Sequence, residues 1–408
     1  MLNHYLRGCA MNWNHSVRRG TAALASLALL SAFTGTADAK TAASAVSVNL
    51  GSTAAVTSLF SYPNNGNSQT LAQTVQLYLQ QSVQRDTLSG VTVAVNTDGS
   101  TYSATFTGSN TPASYPARIT QFLTIGNEAV AAQAQMQKDG KWDSKNWRLF
   151  LPLGLAMTNQ KSVQLLHFPP DTSLTLQDYL NSATSRRWES LLELNGATAA
   201  NVTLFERIVD IAPIAAPASA GNSLAAAYSY FKPYAFDMLN YSIQPQPAPA
   251  KPLSVVAYGS PVRQWVQDNL QTKLAVLGTA YVQVGQTAKV PFLGANHPSY
   301  IWYVAKQSRT LALRTMRDDL ASACWQVTTG NNPGADINAT VTQCTAYWDQ
   351  RPEQVCELTE IQAYNKTPEE AKQICATTAK GRLAAARKLT VKQIEAAERK
   401  APAHIFAR

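Results

Sequence analysis

Short apolar runs that alternate with helical patterns between residues 117 and 305 limit the fold of this chain more than any other feature. The clearest strands are residues 163–168 and 253–258, and a segment with apolar residues at helical spacing follows each. Strand–helix alternation of this kind is typical of a largely parallel sheet with helices on both faces. We therefore predict a three-layer α/β sandwich. Further strands are expected near Leu149, Val202 and Val290.

The segments on either side of this α/β domain have different patterns. Residues 40–116 contain one amphipathic helix, from about Leu71 to Val83, and a hairpin that turns at Asp98-Gly99. We predict a small α+β unit there. Residues 306–408 are helical, and helix-start patterns occur at Thr367 and Thr390.

Residues 1–39 have the pattern of a cleavable signal peptide. Arg18 and Arg19 precede an apolar run, and Ala37-Asp38-Ala39 forms a small-x-small cleavage site. The apolar run has about half of the ~20 residues that a membrane span requires. We predict cleavage after Ala39 and a periplasmic or secreted mature chain with no transmembrane segment.

The cysteines that remain after removal of the signal peptide, which contains Cys9, support an oxidising compartment. The mature chain keeps an even number of them, all in the last quarter of the sequence: Cys324, Cys344, Cys356 and Cys375. Zinc is the alternative, but no C-x-x-C pair is present and the spacings fit no zinc finger or ribbon. We predict two disulfides. Cys356 and Cys375 flank a turn between two helical stretches, which favours the pairs Cys356–Cys375 and Cys324–Cys344.

The positive charge is concentrated at the C-terminal end. The net charge is +9, yet eight basic residues against two acidic ones lie between Lys380 and Arg408. The body is therefore nearly neutral and has no broad footprint for nucleic acid. The basic tail is a candidate contact for an anionic polymer or a membrane surface, or it is simply a solvated helix end.

Two motifs follow predicted strands. In the first, Gly259 ends a buried strand and Ser260 is placed where a helix cap belongs. Ser260 is therefore a nucleophile, a group that binds an anionic ligand, or a plain cap. In the second, Asn296, His297 and Ser299 lie in a polar turn after the strand near Val290. His297 could donate a hydrogen bond to developing negative charge, or it could bond locally within the turn.

The order of these motifs resembles the C-terminal half of the uracil-DNA glycosylase superfamily. A strand ending in Gly-Ser-Pro, a helix, and a later His-Pro-Ser at residues 297–299 carry the resemblance, which covers residues 150–300. The resemblance implies that His297 hydrogen-bonds a uracil carbonyl while the glycosidic bond breaks. It also implies that Gly154 and Asn159 belong to the loop that positions water, and that Phe168 stacks on the base.

Three functions follow from these observations. The first is a small-ligand binder, for a nucleobase or nucleotide, at the carboxyl edge of the sheet through Gly154, Phe168, Gly259, Ser260, Asn296 and Ser299. The second is a glycosylase-like enzyme that uses His297 and Asn159. The third is a non-catalytic cell-envelope interaction protein. No metal-ligand spacing, phosphate-binding glycine loop or dinucleotide fingerprint is visible, so we expect no metal and no cofactor.

Overall fold

The structure is a computed structural model that describes residues 45–60, 71–85, 90–109, 111, 113–151, 160–169, 181–217, 224–244, 253–286 and 289–401. Its strands are β1 (Ala45–Ser52), β2 (Thr92–Thr97), β3 (Thr101–Thr107), β4 (Arg148–Leu149), β5 (Ser162–Leu166), β6 (Arg207–Asp210), β7 (Ile214–Ala215), β8 (Ser254–Tyr258), β9 (Thr279–Val282) and β10 (Val290–Ala295).

Its helices are α1 (Thr53–Phe60), α2 (Leu71–Arg85), α3 (Tyr115–Lys138), α4 (Ala183–Leu194), α5 (Tyr228–Ile243), α6 (Gly259–Leu270), α7 (Tyr300–Ala305), α8 (Arg309–Asn331), α9 (Ile337–Asp349), α10 (Pro352–Tyr364), α11 (Pro368–Cys375), α12 (Ala379–Arg387) and α13 (Val391–Arg399). Short 3-10 turns precede β6 and α5.

The predicted α+β unit is present, with one strand more than the sequence suggests. β2 and β3 form the expected antiparallel hairpin, in which the Asp98 carboxylate accepts hydrogen bonds from the backbone N–H groups of Ser100 and Thr101. β1 pairs with the other edge of β3. The sequence hides β1 because only Val48 and Leu50 of this Ser- and Asn-containing strand are buried.

The central sheet confirms the predicted fold class. Its strand order is β6-β5-β8-β10-β9, and every pair is parallel except the antiparallel edge pair β10–β9. Helices α5 and α6 cover one face, where Arg207 of β6 donates to the carbonyl of Ser242. Helices α4 and α8 cover the other face, where the Tyr258 hydroxyl donates to Gln326 and its ring packs edge-on against Trp188.

One predicted strand lies elsewhere. The apolar run at residues 149–151 does not join the parallel sheet, because β4 pairs with β7 in a separate two-stranded antiparallel sheet. The chain turns back after β6, and Phe150 N–H donates to the carbonyl of Pro213. Apolar character alone cannot show whether such a run pairs with β7 or joins the parallel sheet, because an apolar strand is expected in either place.

The C-terminal region is helical and carries the two predicted disulfides. Cys324–Cys344 joins α8 to α9, and Cys356–Cys375 joins α10 to α11. Both predicted capping boxes are formed, at Thr367 and Thr390. The buried apolar residues form one continuous cluster that runs from Val48 in β1 to Ile394 in α13.

Candidate functional site at the carboxyl edge of the sheet

The four parallel strands end at the same edge of the sheet, and polar residues occupy that edge. Asp210 ends β6, His167 follows β5, Gly259 and Ser260 follow β8, and Asn296 follows β10. In open α/β sheets the carboxyl edge is where ligands bind.

The order of the strands places a topological switch point between β5 and β8. The chain passes from β5 to β6 on one side and then returns to β8 on the other side. Connections diverge there, which leaves a crevice at the carboxyl ends. Leu165 is the register partner of Ala257, and His167 and Gly259 each come two residues after this pair, so both lie at this edge.

His167 is a buried, neutral imidazole at this switch point. Its Nε2 contacts the hydroxyl of Tyr228, the first residue of α5, and its ring meets Phe168 edge-on at 4.7 Å between centroids. Its Nδ1 has no hydrogen-bond partner among the described residues. Burial lowers the pKa of His167 to about 3, because a charged ring would lose its hydration. The ring is therefore uncharged at neutral pH.

Gly259 turns the chain directly from β8 into α6. Its φ of +83° lies in a region that glycine adopts without steric cost. The helix begins at Gly259, so Ser260 lies within the first turn, half-buried, and does not cap the helix. Because glycine adopts a positive φ, the chain turns from strand to helix at Gly259 itself, with no further residue between the two elements. The N–H groups of this first turn face the edge where an anion is favoured.

The turn after β10 is closed by helices instead of being open to solvent. His297 is fully buried, and its Nδ1 accepts from the backbone N–H of Ser299 at 3.3 Å. The Ser299 hydroxyl bonds that of Thr184 in α4 at 2.7 Å. The Asn296 Nδ2 donates to Asp319 of α8 at 3.2 Å.

Asp319 and Arg187 form a buried ion pair next to the turn after β10. Arg187 Nη2 donates to Asp319 Oδ2 at 2.8 Å, and its Nη1 donates to the carbonyl of Pro298 at 2.9 Å. Its Nε donates to Gln362 of α10. Burial raises the pKa of Asp319 to about 7, although the Arg187 charge acts in the opposite direction. The loop that carries His297 is thus held by α4, α8 and α10.

The structure brings some of the predicted site residues together. Gly259, Ser260, Asn296, His297 and Ser299 lie at one edge, and Phe168 follows β5 at the same edge, where its side chain is fully buried. Gly154 and Asn159 lie outside the described residues.

Sequence reasoning missed His167, Tyr228, Asp210 and Asp319. The sequence did carry a signal for His167 and Asp210, because each stands at the end of an apolar strand. It carried none for Asp319, which lies within a helix and reaches the site only through packing.

The basic C-terminal segment is folded against the body of the protein. α13 packs on α6, with Ile394 and Glu398 buried, and three arginines pair with acids: Arg382 with Glu360, Arg387 with Asp349 and Arg399 with Glu395. The exposed lysines of this segment are Lys380, Lys388, Lys392 and Lys400.

Within the described ranges, no helix combines the length and apolar character needed to cross a membrane. The same residues contain no group of three or more His, Cys, Asp or Glu side chains arranged to hold a metal ion. Comparison with protein-family models, with curated proteins and with solved structures gives no match for this chain.

Proposed function

We propose that this protein binds a small ligand with a polar planar group, such as a nucleobase or nucleotide, at the switch point between β5 and β8. The observation that carries the proposal is His167, a neutral buried imidazole whose Nδ1 is unpartnered among the described residues. Buried polar groups in folded proteins are nearly always hydrogen-bonded, and those that are not call for a functional explanation. A ligand carbonyl or ring nitrogen would supply the missing partner.

The neighbours of His167 fit such a ligand. Phe168 and Tyr228 both make edge-on ring contacts with the imidazole, so the site offers aromatic surface beside its polar group. The first turn of α6 lies alongside and favours an anionic substituent, for example a phosphate. Apolar walls with a few convergent polar groups are typical of small-molecule sites.

Calorimetric titration with uracil, adenine and their nucleoside 5′-monophosphates tests this proposal. We expect at least one probe to bind the wild type, and His167→Gln to weaken that binding about five- to tenfold, because one buried hydrogen bond is worth roughly 1 to 1.4 kcal/mol. Tyr228→Phe should weaken it as well, since the hydroxyl orients the imidazole. Tyr230→Phe is the matched control, because the Tyr230 hydroxyl on the same helix bonds Asp139 instead. Absence of binding by all four probes, or equal affinity in His167→Gln, would reject the proposal.

A glycosylase-like reaction at His297 is the second candidate function. What favours it is that His297 and Ser260 stand at the same sheet edge, as the resemblance requires. The test is release of uracil from a single-stranded deoxyuridine oligonucleotide by wild type and His297→Ala. Equal release by both proteins, or none by either, would remove this candidate.

We also propose that the protein is exported and matures at Lys40. The two disulfides support this, because such bonds persist in oxidising compartments. Intact-mass measurement of protein recovered from the periplasm or medium is expected to give the mass of residues 40–408. A mass that retains the apolar run before Ala39 would contradict cleavage. Replacing Ala37 and Ala39 together by Phe should block processing, because the peptidase requires small residues there.

A further inference from the structure

Arg263 of α6 forms a two-pronged clamp at the end of β10. Its Nη1 donates to the carbonyl of Ala295 at 2.6 Å and reaches Glu398 Oε1 at 3.4 Å, while its Nη2 donates to Glu398 Oε2. Arg263 is 5 % exposed and Glu398 is fully buried. A guanidinium that faces both oxygens of one carboxylate is the geometry in which arginine recognises carboxylate groups.

The carboxylate in this clamp comes from the chain's own last described helix. Of α13, only Ile394 and Glu398 are buried, and beyond it the Tyr303 hydroxyl donates to the carbonyl of Lys400. This nine-residue helix has one fully buried apolar side chain, Ile394, and one partly buried one, Ala397, so it buries little surface. A buried ion pair adds little net stability, because desolvation of both charges offsets their attraction. The docking of α13 therefore rests on few contacts, with the Arg263–Glu398 pair the main polar one.

Two more polar groups beside the clamp are left without partners. The Tyr300 hydroxyl and Asn296 Oδ1 are buried and have no hydrogen-bond partner among the described residues. Asn296 directly follows the carbonyl that Arg263 binds. The Tyr300 ring lies 6.0 Å from the ring of Tyr303, whose hydroxyl donates to the carbonyl of Lys400 at the end of α13, so Tyr300 lies on the side of the clamp where α13 docks. Burial raises the pKa of the Tyr300 phenol, and the negative charge of Glu398 acts in the same direction. The orientation of Asn296 is fixed, since its Nδ2 donates to Asp319.

We propose that Arg263, Tyr300 and Asn296 form a binding site for a small carboxylate, which Glu398 occupies as an internal substitute when α13 is docked. In this site the Tyr300 hydroxyl donates to the carboxylate of the ligand. Asn296 Oδ1 accepts from a hydroxyl or amino group next to the ligand's carboxylate. The ligand class is therefore a carboxylate with an adjacent hydroxyl or amino group. The site is separate from His167 and does not depend on what binds there.

Glycolate and acetate test the proposal, because they differ only in the hydroxyl beside the carboxylate. Glu398→Gln removes the competing charge and is expected to bind glycolate at least tenfold more tightly than the wild type, since docked α13 reduces the fraction of open molecules. Acetate should bind Glu398→Gln more weakly than glycolate does. Glu395→Gln on the same helix is the matched control and should bind like the wild type, because Glu395 pairs with Arg399 and not with Arg263. Arg263→Gln should abolish glycolate binding both in the wild type and in Glu398→Gln.

Release of α13 gives an independent readout. Trypsin cleavage after Lys392 and Arg399 of the wild type should accelerate as glycolate is added, because the helix leaves its site. Ile394→Ala weakens docking without touching the clamp and should also tighten glycolate binding, which keeps the test valid if Glu398→Gln folds poorly. The proposal is overturned if α13 becomes trypsin-sensitive in either variant while glycolate binds no better. Equal binding of glycolate and inorganic phosphate would overturn the assignment of a carboxylate.

Discussion

Acidification from pH 7 to pH 4 is expected to destabilise the folded protein by about 3 kcal/mol through His167 alone. Burial holds the pKa of His167 near 3, whereas an unfolded histidine titrates near 6.5. Below pH 6.5 the unfolded chain therefore takes up a proton that the folded chain refuses. Each pH unit between the two pKa values then costs about 1.4 kcal/mol of folding free energy. The stability is complete above pH 6.5 and is lost as the pH falls toward 3.

Urea unfolding at pH 7, 5.5 and 4 measures this effect when the wild type is compared with His167→Gln. Glutamine cannot take up the proton, so the variant should lose about 3 kcal/mol less than the wild type over this range. The comparison is necessary because Glu128 and Asp319 act in the opposite direction. Burial raises the pKa of each carboxyl to about 7, so the folded protein binds a proton there more readily than the unfolded chain and is stabilised by these two groups as the pH falls.

Phe168→Leu is the control for a loss of packing without loss of a titrating group. It should lower the free energy of unfolding by a similar amount at every pH. Parallel pH profiles for the wild type and His167→Gln would show that His167 is charged in the folded state, contrary to expectation.

Removing both disulfides is expected to cost about 6 kcal/mol, roughly 3 kcal/mol for each bridge, in the chain-entropy model. The loops are of nearly equal size, with sequence separations of 20 and 19 residues. The total approaches the entire stability of many domains, which is about 5–15 kcal/mol. The fourfold Cys→Ala chain should therefore be largely unfolded or aggregated at 37 °C.

The two pair variants separate the bridges. Cys324→Ala with Cys344→Ala should lose about 3 kcal/mol in urea unfolding. Cys356→Ala with Cys375→Ala should lose somewhat more, because both of its cysteines are buried in the core. Non-reducing peptide mapping checks the pairing in the wild type. Four free thiols, crossed pairs, or no change in unfolding midpoint after reduction would contradict the expectation.

Local sequence patterns were sufficient for most elements of the fold. The strand at 253–258 and the hairpin around Gly99 follow from runs whose period and turn residues admit one structure. The capping boxes at Thr367 and Thr390 follow from side chains that bond within three residues of themselves. The cysteine pairs were also predictable, since each closes a short loop between consecutive helices.

Pairing between distant segments was less predictable. The run at 149–151 was assigned to the wrong sheet because its partner, β7, lies more than 60 residues away and is only two residues long. β9 was not predicted, although Ala280, Val282 and Val284 alternate with polar or exposed residues, because so short a run becomes a strand only by pairing with β10 at the sheet edge. Such pairings are decided by which segments the rest of the fold brings side by side.

The same division applies to the candidate site. The sequence by itself determined that Gly259, Ser260 and His297 directly follow strands, because strand ends are set locally. It also fixed the charge of the C-terminal segment. Only the tertiary structure decided that His167 is neutral and that Glu398 fills the clamp of Arg263. Whether a side chain is buried, and which ion-pair or hydrogen-bond partner it finds, depends on the packed core, where desolvation decides the charge of a side chain.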